Sequence, residues 1–184
     1  QDISQGEFLE RISSNTLSPV CNYVPVKKGD VFFIEAGTLH AIGKGILIAE
    51  VQQNSNTTYR VSDYGRLGAD GKPRELHIKQ AVDVTKTEKP TKPYGNVGDV
   101  TLYPFGTVRE LSSCEYFTAE LINLDGNVGI YDNESFISLL ILEGEVSLSY
   151  TGGMMKLKKG DSLFLPAGLK VRLCGSGEIL YTHM

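Results

Sequence analysis

The spacing of hydrophobic residues predicts two short helices in the first half of the chain, set among strands. Residues 5–12 carry apolar side chains at Phe8, Leu9 and Ile12, which is the spacing of a short amphipathic helix. Residues 76–84 show helical spacing as well. Elsewhere the apolar positions alternate with polar ones or form short β-branched runs. These patterns predict strands at residues 23–26, 31–34, 45–51 and 57–61.

From residue 100 onward the apolar residues fall in short runs that are separated by glycine-containing turns. The predicted strands are residues 116–123, 135–142, 146–150, 155–157 and 178–182. Regularly spaced short strands of this kind indicate a β-sandwich or a barrel. The chain is therefore predicted to be an all-β protein with a few short helices.

One twelve-residue frame occurs twice in the sequence, from Gly29 to His40 and from Gly160 to Val171, each time after a Lys-Lys pair. In both copies Gly-Asp predicts a turn, the following apolar run a strand, and Ala-Gly a second turn. A further strand is predicted to begin at His40 in the first copy and at Val171 in the second. Two copies at this separation indicate two similar domains in tandem. Only the first copy keeps a histidine that could hold a metal.

The segment between the two copies contains the expected domain boundary. Residues 86–99 carry two prolines and two glycines with little apolar content. Such composition is typical of a linker between domains. We therefore assign residues 1–87 to a first domain, residues 88–99 to the linker and residues 100–184 to a second domain.

Composition and charge narrow the classes of partner and the cellular location. The net charge of -4 and the pI near 5.4 argue against a nucleic acid or an anionic membrane as partner. No apolar run is long enough to span a bilayer. The three cysteines, Cys21, Cys114 and Cys174, form no CxxC pair, which favours the reducing environment of the cytoplasm.

The duplicated frame resembles the second conserved motif of the cupin family, whose domains are double-sheet jelly rolls. The matching positions are Gly29, Gly37 and His40 in the first copy and Gly160, Pro166 and Gly168 in the second. Glu35 stands at the usual proline of the motif in the first copy, and Val171 stands at its histidine in the second. This resemblance implies a tandem cupin whose first unit is incomplete at its N-terminal side and whose second unit is degenerate and metal-free.

Longer stretches resemble the type I mannose-6-phosphate isomerases, in the bacterial form typical of Firmicutes. They are residues 35–41, 50–66 and 74–81, and residues 135–144 and 160–168 are similar to the C-terminal cupin of that family. The resemblance implies an aldose–ketose isomerase that interconverts mannose 6-phosphate and fructose 6-phosphate by proton transfer between C1 and C2. It also implies one zinc ion per intact protein, bound in the first cupin.

The same resemblance assigns expected roles to four residues. His40 matches the histidine that holds zinc together with an upstream His and Glu. Arg60 matches an active-site arginine, and Glu50 matches a carboxylate on the same wall, so both are candidate catalytic residues. Arg66 matches a basic residue associated with the substrate phosphate, an oxygen-rich group onto which a guanidinium forks well.

The upstream metal-binding motifs of that family are missing from the sequence. There is no His-Pro pair, no tryptophan and no HxH before His40, and the remaining histidines are His77 and His183. We therefore expect a C-terminal portion of a longer isomerase, inactive or nearly so by itself. Its partner is expected to be a phosphorylated hexose, and the exposed edge of the incomplete cupin is a further place for association.

Less specific interpretations of these residues remain open. His40 could cap a turn, Glu50 could be a solvated strand-end carboxylate, and both arginines could be surface charges. His77 is expected to be structural and His183 to fray at the C-terminus. The alternative function is a non-catalytic bicupin that binds sugars or a regulatory ligand, and a third is a structural fragment without a site.

Overall fold

The computed structural model describes residues 2–55, 57–64 and 67–184. The chain forms two compact units, one built from Gln1–Ala49 and Asn54–Gly95 and the other from Glu50–Gln53 and Asn96–Met184. The main boundary, between Gly95 and Asn96, falls inside the segment predicted as the linker. The assignment of one cupin to each part of the chain stays a prediction. None of the helices in the described ranges is long and apolar enough to cross a bilayer.

The first unit contains the helices of the protein and one short pair of strands. Its elements are α1 (Gln5–Ser13), a 3₁₀ turn (Ser18–Val20), β1 (Val31–Phe32), α2 (Ile78–Val84) and β2 (Tyr94–Gly95). Helix α1 begins where the spacing predicted it, because the Ser4 hydroxyl accepts the Glu7 N–H at 3.1 Å and caps its first turn. Its apolar face packs Phe8 and Ile12 against Val61 and Ala81 in a small core.

Helix α2 begins at Ile78, two residues later than the spacing predicted. The residue before it, His77, donates its backbone N–H to the carbonyl of Arg60 at 2.8 Å. The backbone of His77 is thereby held to a non-helical neighbour, so the helix cannot extend further back. Ala81 is 2% exposed and faces the small core.

Three of the strands predicted in the first half are wrong. Residues 23–26, 45–51 and 57–61 contain no strand in the part of the chain that the structure describes, and none begins at His40. A strand needs a hydrogen-bonded neighbour, and the β-branched composition of these segments supplies none. Their apolar side chains are exposed as a result, and Leu47 reaches 94% exposure. The predicted strand at residues 31–34 forms only as β1, which pairs with β2 inside the segment predicted as linker.

The second unit is an antiparallel sheet of seven strands. They are β3 (Val100–Tyr103), β4 (Gly106–Ser113), β5 (Thr118–Ile130), β6 (Ile137–Tyr150), β7 (Gly153–Lys158), β8 (Ser162–Leu165) and β9 (Val171–His183). The strand order is β3-β4-β5-β9-β6-β7, and β8 pairs with β6. β9 begins at Val171, as the duplicated frame predicted.

Several predicted strands of this unit are parts of longer ones. Residues 135–142 and 146–150 were predicted as separate strands, but they form the single strand β6. Glu143 and Gly144 make no turn, because they pair with Glu178 and Gly177 of β9. The register with β9 shifts between Ile141 and Glu143, so a β-bulge lies at Leu142. Gly144 has a φ of 84°, which allows the chain to bend and continue.

The core of the second unit comes from alternate residues of the long central strands. Leu139 of β6, Leu173 and Ile179 of β9 are all 0% exposed, and Ile122 and Leu124 of β5 pack with them. Beyond the bulge, where β6 pairs with the glycines of β9, the backbones come close together. A Cβ on Gly175 would lie 2.6 Å from the carbonyl oxygen of Glu145, so only glycine fits there.

Candidate functional site

The first turn of the duplicated frame has the same hydrogen bonds in both copies. Asp30 donates its backbone N–H to the Lys27 carbonyl at 3.2 Å and accepts the Lys27 N–H on Oδ2 at 2.9 Å. Asp161 makes the same two bonds with Lys158, at 2.9 and 2.8 Å. The glycine before each aspartate has a φ of 89° and 90° respectively. The backbone N–H of Lys27 lowers the pKa of the Asp30 carboxyl below its ordinary value.

The second turn of the frame is also shared. Thr38 donates its N–H to the Glu35 carbonyl at 3.0 Å, and Leu169 donates to the Pro166 carbonyl at 3.2 Å. Glu35 therefore replaces the motif's proline without changing the turn. His40 and Val171 follow at the same distance along the chain, but their surroundings differ. His40 is exposed, whereas Val171 is 5% exposed and belongs to the core.

The imidazole of His40 contacts the backbone of its own turn. Its Nδ1 lies 2.9 Å from the carbonyl oxygen of Thr38. A carbonyl oxygen only accepts, so Nδ1 carries the hydrogen in the neutral ring and Nε2 keeps its lone pair. A backbone carbonyl on the second ring nitrogen is the usual arrangement of a histidine that binds a metal. His40 thus fits the part of a single metal ligand through Nε2.

A complete metal site is not formed by the described residues. Nowhere in residues 2–55, 57–64 and 67–184 do three or more His, Cys, Asp or Glu side chains gather so that they could hold a metal ion. A catalytic zinc site normally takes three protein ligands. The described part of the chain therefore supplies one ligand that fits zinc, His40, and no full set.

The turn that precedes His40 is docked at the C-terminal end of α2 and on the residues just after it. Lys86 donates its N–H to the Gly37 carbonyl at 2.8 Å, and a Cβ on Gly37 would lie 2.5 Å from the Val84 carbonyl oxygen. The φ of Gly37 is 86°, in the region that glycine favours. Both the conformation and the close approach require glycine here, so the frame fixes the turn against the helix.

Arg60 is held at the opposite end of the same helix. Its carbonyl accepts the His77 N–H, its N–H lies 3.3 Å from His77 Nδ1, and its Nη1 donates to the Glu75 carbonyl at 3.3 Å. Because His77 Nδ1 accepts a bond, this histidine has a structural role, as expected. Helix α2 has seven residues. At about 1.5 Å per residue it is roughly 10 Å long, and the Arg60 segment and the His40 turn are bonded beyond its opposite ends.

The predicted site residues are not in direct contact where the structure describes them. No hydrogen bond or ion pair joins His40 to Arg60 among the described residues. Glu50 is exposed and belongs to the short segment Glu50–Gln53 that groups with the second unit. Arg66, the predicted contact to the substrate phosphate, lies outside the described residues.

An ion pair that the sequence did not predict joins Asp63 and Arg74. Asp63 is 8% exposed, and its carboxylate accepts two N–H bonds from the guanidinium, one of them at 2.6 Å from Nε. The hydrogen bond to Asp63 raises the pKa of Arg74. A bidentate pair of this kind fixes the planes of the guanidinium and the carboxylate relative to each other. In the sequence, this pair was indicated only by the opposite charges of Asp63 and Arg74, which lie in two segments, 50–66 and 74–81, that resemble the same family.

The expectation that His183 frays is wrong. His183 is the last residue of β9, opposite Thr118 of β5, and its Nε2 lies 3.6 Å from a carboxylate oxygen of Glu120. Its ring is 5.1 Å from that of Tyr181. Burial, then the charges of Glu120 and Asp132, raise the pKa of the Tyr181 phenol. The strand pairing that orders this end involves residues distant in sequence, so the C-terminal position alone was misleading.

Comparisons with known proteins agree with this fold and these motifs. Residues 107–184 match the family model of the mannose-6-phosphate isomerase cupin domain. Over 98% of its length the chain is 38% identical to mannose-6-phosphate isomerase ManA of Bacillus subtilis (strain 168) and 34% identical to the mannose-6-phosphate isomerase of Streptococcus mutans. It spans 57% and 56% of those two proteins, so more than two fifths of each lies outside the match.

A solved structure extends the comparison to three dimensions. The crystal structure of the mannose 6-phosphate isomerase from Bacillus subtilis matches with a TM-score of 0.89 at 31% identity, over 100% of this chain and 58% of that one. The all-β fold with few helices is that of the cupins. The chain is similar in sequence and in fold to mannose-6-phosphate isomerases, and the resemblance seen in the sequence is confirmed.

Proposed function

We propose that this chain is part of an aldose–ketose isomerase that interconverts mannose 6-phosphate and fructose 6-phosphate. Relatives that are 34–38% identical over 98% of the chain carry the name mannose-6-phosphate isomerase, one of them as putative. The reaction moves a proton between C1 and C2 of the sugar through an enediol, which needs a base and stabilisation of developing negative charge. The substrate is a phosphorylated hexose.

We further propose that the two halves are tandem cupin units and that the first is incomplete. The matching hydrogen bonds at Asp30 and Asp161 support a common origin for the two frames. A location in the cytoplasm is part of the same proposal, and it is supported by the three cysteines, all of them free thiols.

The observation that carries the functional proposal is the way α2 holds the two predicted residues. Lys86, just after the helix, bonds the turn that precedes His40, and His77, just before the helix, bonds the backbone of Arg60. One rigid element therefore sets the separation between a metal-binding imidazole and a guanidinium. Such fixed spacing is what preorganised catalysis requires.

His40 would hold zinc through Nε2 in the complete enzyme, and the other ligands would come from outside the described residues of this chain. A zinc ion bound there supplies polarisation of the sugar oxygens. The described chain contains one fitting ligand, so the steps assigned below are those of its own side chains. Metal analysis of the complete enzyme and of a His40→Ala variant tests this assignment, and equal zinc content in the two would contradict it.

Arg60 is assigned to the negative charge that develops on the sugar oxygens. Its hydrogen bond to Glu75 uses one of the N–H donors of the guanidinium, and its backbone is tied to His77 on both sides. Glu50 is proposed to lie on the wall of the site and Arg66 to bind the phosphate. Removing Arg66 is expected mainly to raise KM, since phosphate binding is shared by substrate and transition state.

The test is an isomerase assay on the complete enzyme with Arg60→Ala. Loss of a preorganised donor to a developing oxyanion lowers turnover by about 100-fold or more. Arg11→Ala is the matched control, because Arg11 makes a partly exposed ion pair with Glu7 at 2.8 Å on the surface of α1, and surface pairs contribute about 0–1 kcal/mol. Full kcat/KM in Arg60→Ala would contradict the assignment. Binding of mannose 6-phosphate without turnover in the complete protein would favour the sugar-binding bicupin.

The 184-residue chain alone is proposed to be a poor isomerase. With His40 as the one fitting ligand of the described residues, zinc would bind weakly and exchange readily. The assay is isomerisation of mannose 6-phosphate by the purified chain with added zinc. Turnover at ordinary enzyme rates would show that the site is complete within these residues.

A further inference from the structure

An open groove lies in the second unit around the position that corresponds to His40. Its volume is about 570 Å³, and Val171 at the start of β9 lies in its lining. This volume is within the range of small-molecule sites, about 300–1,000 Å³. The frame that places an imidazole in the first unit thus ends beside a groove in the second.

The residues that flank Val171 in this groove are both basic. Lys170 and Arg172 occupy the places that Leu39 and Ala41 hold around His40 in the first copy. Both basic side chains are exposed and both line the groove. Among the described residues that line it there is no carboxylate, although the chain as a whole has a net charge of -4.

The two cations are held in position by neighbouring groups. The Lys170 amine lies 4.8 Å from the centre of the Tyr131 ring, and Arg172 donates from Nη1 to the Asn127 side-chain oxygen at 3.0 Å. Neither of these partners carries a negative charge, so both positive charges remain uncompensated by these contacts. Two fixed cations about one groove favour an anion such as phosphate.

The rest of the lining suits a sugar. Tyr131 and Tyr150 are 48% and 38% exposed, and their rings can face the C–H surface of a pyranose. The Ser149 hydroxyl adds a hydrogen-bonding group, and it lies 3.4 Å from the Arg172 carbonyl. Gly129 leaves open space above the sheet, because a Cβ built there would meet nothing within 4 Å.

We propose that this groove is a second, non-catalytic site for a phosphorylated sugar, with Lys170 and Arg172 binding the phosphate and the tyrosine rings contacting the sugar. The anion site follows from the geometry of the second unit alone. The choice of a sugar phosphate rests on the proposed function. A second site of this kind would allow the enzyme to sense its substrate or product away from the catalytic unit.

The experiment is an NMR titration of the ¹⁵N-labelled 184-residue chain with mannose 6-phosphate, inorganic phosphate and mannose in separate arms. Mannose 6-phosphate should shift the amide signals of residues 129–131 and 170–172 and bind more tightly than either other probe. Binding should weaken as salt rises, because exposed charges are screened. The absence of any shift in these residues would refute the site. Inorganic phosphate that bound as tightly as mannose 6-phosphate would refute the contribution of the sugar.

Variants assign the binding to the groove. Lys170→Gln combined with Arg172→Gln should weaken mannose 6-phosphate binding by about tenfold or more, as expected for charge-assisted hydrogen bonds. Lys156→Gln, an exposed lysine of β7, is the matched control and should bind normally. Gly129→Ile places a β-branched side chain beside the groove, at a position where its Cβ meets nothing within 4 Å, and should block binding in a folded protein. Binding unchanged in the double variant or in Gly129→Ile would refute the proposal.

One further variant separates this site from the catalytic one. Arg60→Ala should leave the groove titration unchanged while it reduces isomerisation in the complete enzyme. If Arg60→Ala also removed the shifts at residues 170–172, the observed binding would belong to the first unit and the second site would be refuted. If Arg60→Ala kept full turnover with normal groove binding, the catalytic assignment alone would fail.

Discussion

The exchange of His40 and Val171 tests how the same frame serves two different surroundings. The perturbation is the pair of reciprocal variants His40→Val and Val171→His. Val171 is 5% exposed and packs in the core of the second unit, whereas His40 is exposed and bonded to the Thr38 carbonyl. The two positions follow turns with the same pattern of hydrogen bonds. A difference between the two variants in unfolding free energy therefore reflects the surroundings of the side chain and not the turn.

The magnitude follows from burial. Removing the buried Val171 side chain forfeits about 1.5–3 kcal/mol of hydrophobic stabilisation. The imidazole that replaces it brings a polar ring into the core, and an unsatisfied polar group there costs a further 1–3 kcal/mol or so. Val171→His should therefore destabilise the second unit by about 3–5 kcal/mol. His40→Val should change stability by no more than about 1 kcal/mol, since it removes one exposed hydrogen bond.

The assay is urea unfolding followed by far-ultraviolet circular dichroism of the β signal. With an m value of about 2 kcal/mol per molar, Val171→His should lower the midpoint by about 2 M. Val171→Ile is the control for a change in side-chain size without polarity. Equal midpoint shifts for His40→Val and Val171→His would refute the reasoning, because the two frames would then have equivalent surroundings.

Further predictions concern the first unit and the C-terminal cluster. Phe8→Ala should cost about 3–5 kcal/mol in urea unfolding because Phe8 is 2% exposed, while Leu9→Ala, at 44% exposure, should cost far less; equal costs would contradict the small core. Gly37→Ala should destabilise more than Gly29→Ala. Both require a positive φ, but only at Gly37 would the Cβ lie 2.5 Å from a carbonyl oxygen, and thermal unfolding that ranks them the other way would count against the docked turn. The phenol of Tyr181 should ionise above its ordinary pKa in a spectrophotometric titration of wild type against Tyr181→Phe, and an ordinary value would contradict the burial and carboxylate charges around it. A pH prediction follows from Asp30. The folded state lowers the pKa of its carboxyl through the Lys27 N–H, so this group stabilises the fold above its unfolded pKa, and the contribution is lost as pH falls through the folded value. Asp30→Asn should therefore be less stable than wild type at neutral pH, and the difference should vanish in acid. A difference that persisted unchanged to low pH would contradict this cause.

The sequence by itself determined the features that depend on neighbouring residues. The spacing of Phe8 and Ile12 and the cap at Ser4 define helix α1 within one stretch of chain. The turns of the duplicated frame are likewise formed by hydrogen bonds between residues three apart. The equivalence of the two copies could therefore be predicted from the order of their residues alone. The matches between residues 35 and 81 occur in the same order as in the family and were long enough to identify the relatives. They also made His40 and Arg60 candidate site residues.

Only the tertiary structure decided the features that depend on distant residues. It joined residues 137–150 into one strand because β9 pairs along their whole length, with a bulge at Leu142 and no turn at Gly144. It left residues 45–51 without a strand, since β propensity forms no ladder unless another segment lies beside it. It ordered His183 by pairing it with β5, and it tied the His40 turn and Arg60 to opposite ends of α2. The physical reason is common to all four, because hydrogen-bond partners and buried neighbours are set by contacts far apart in sequence, which local spacing does not encode.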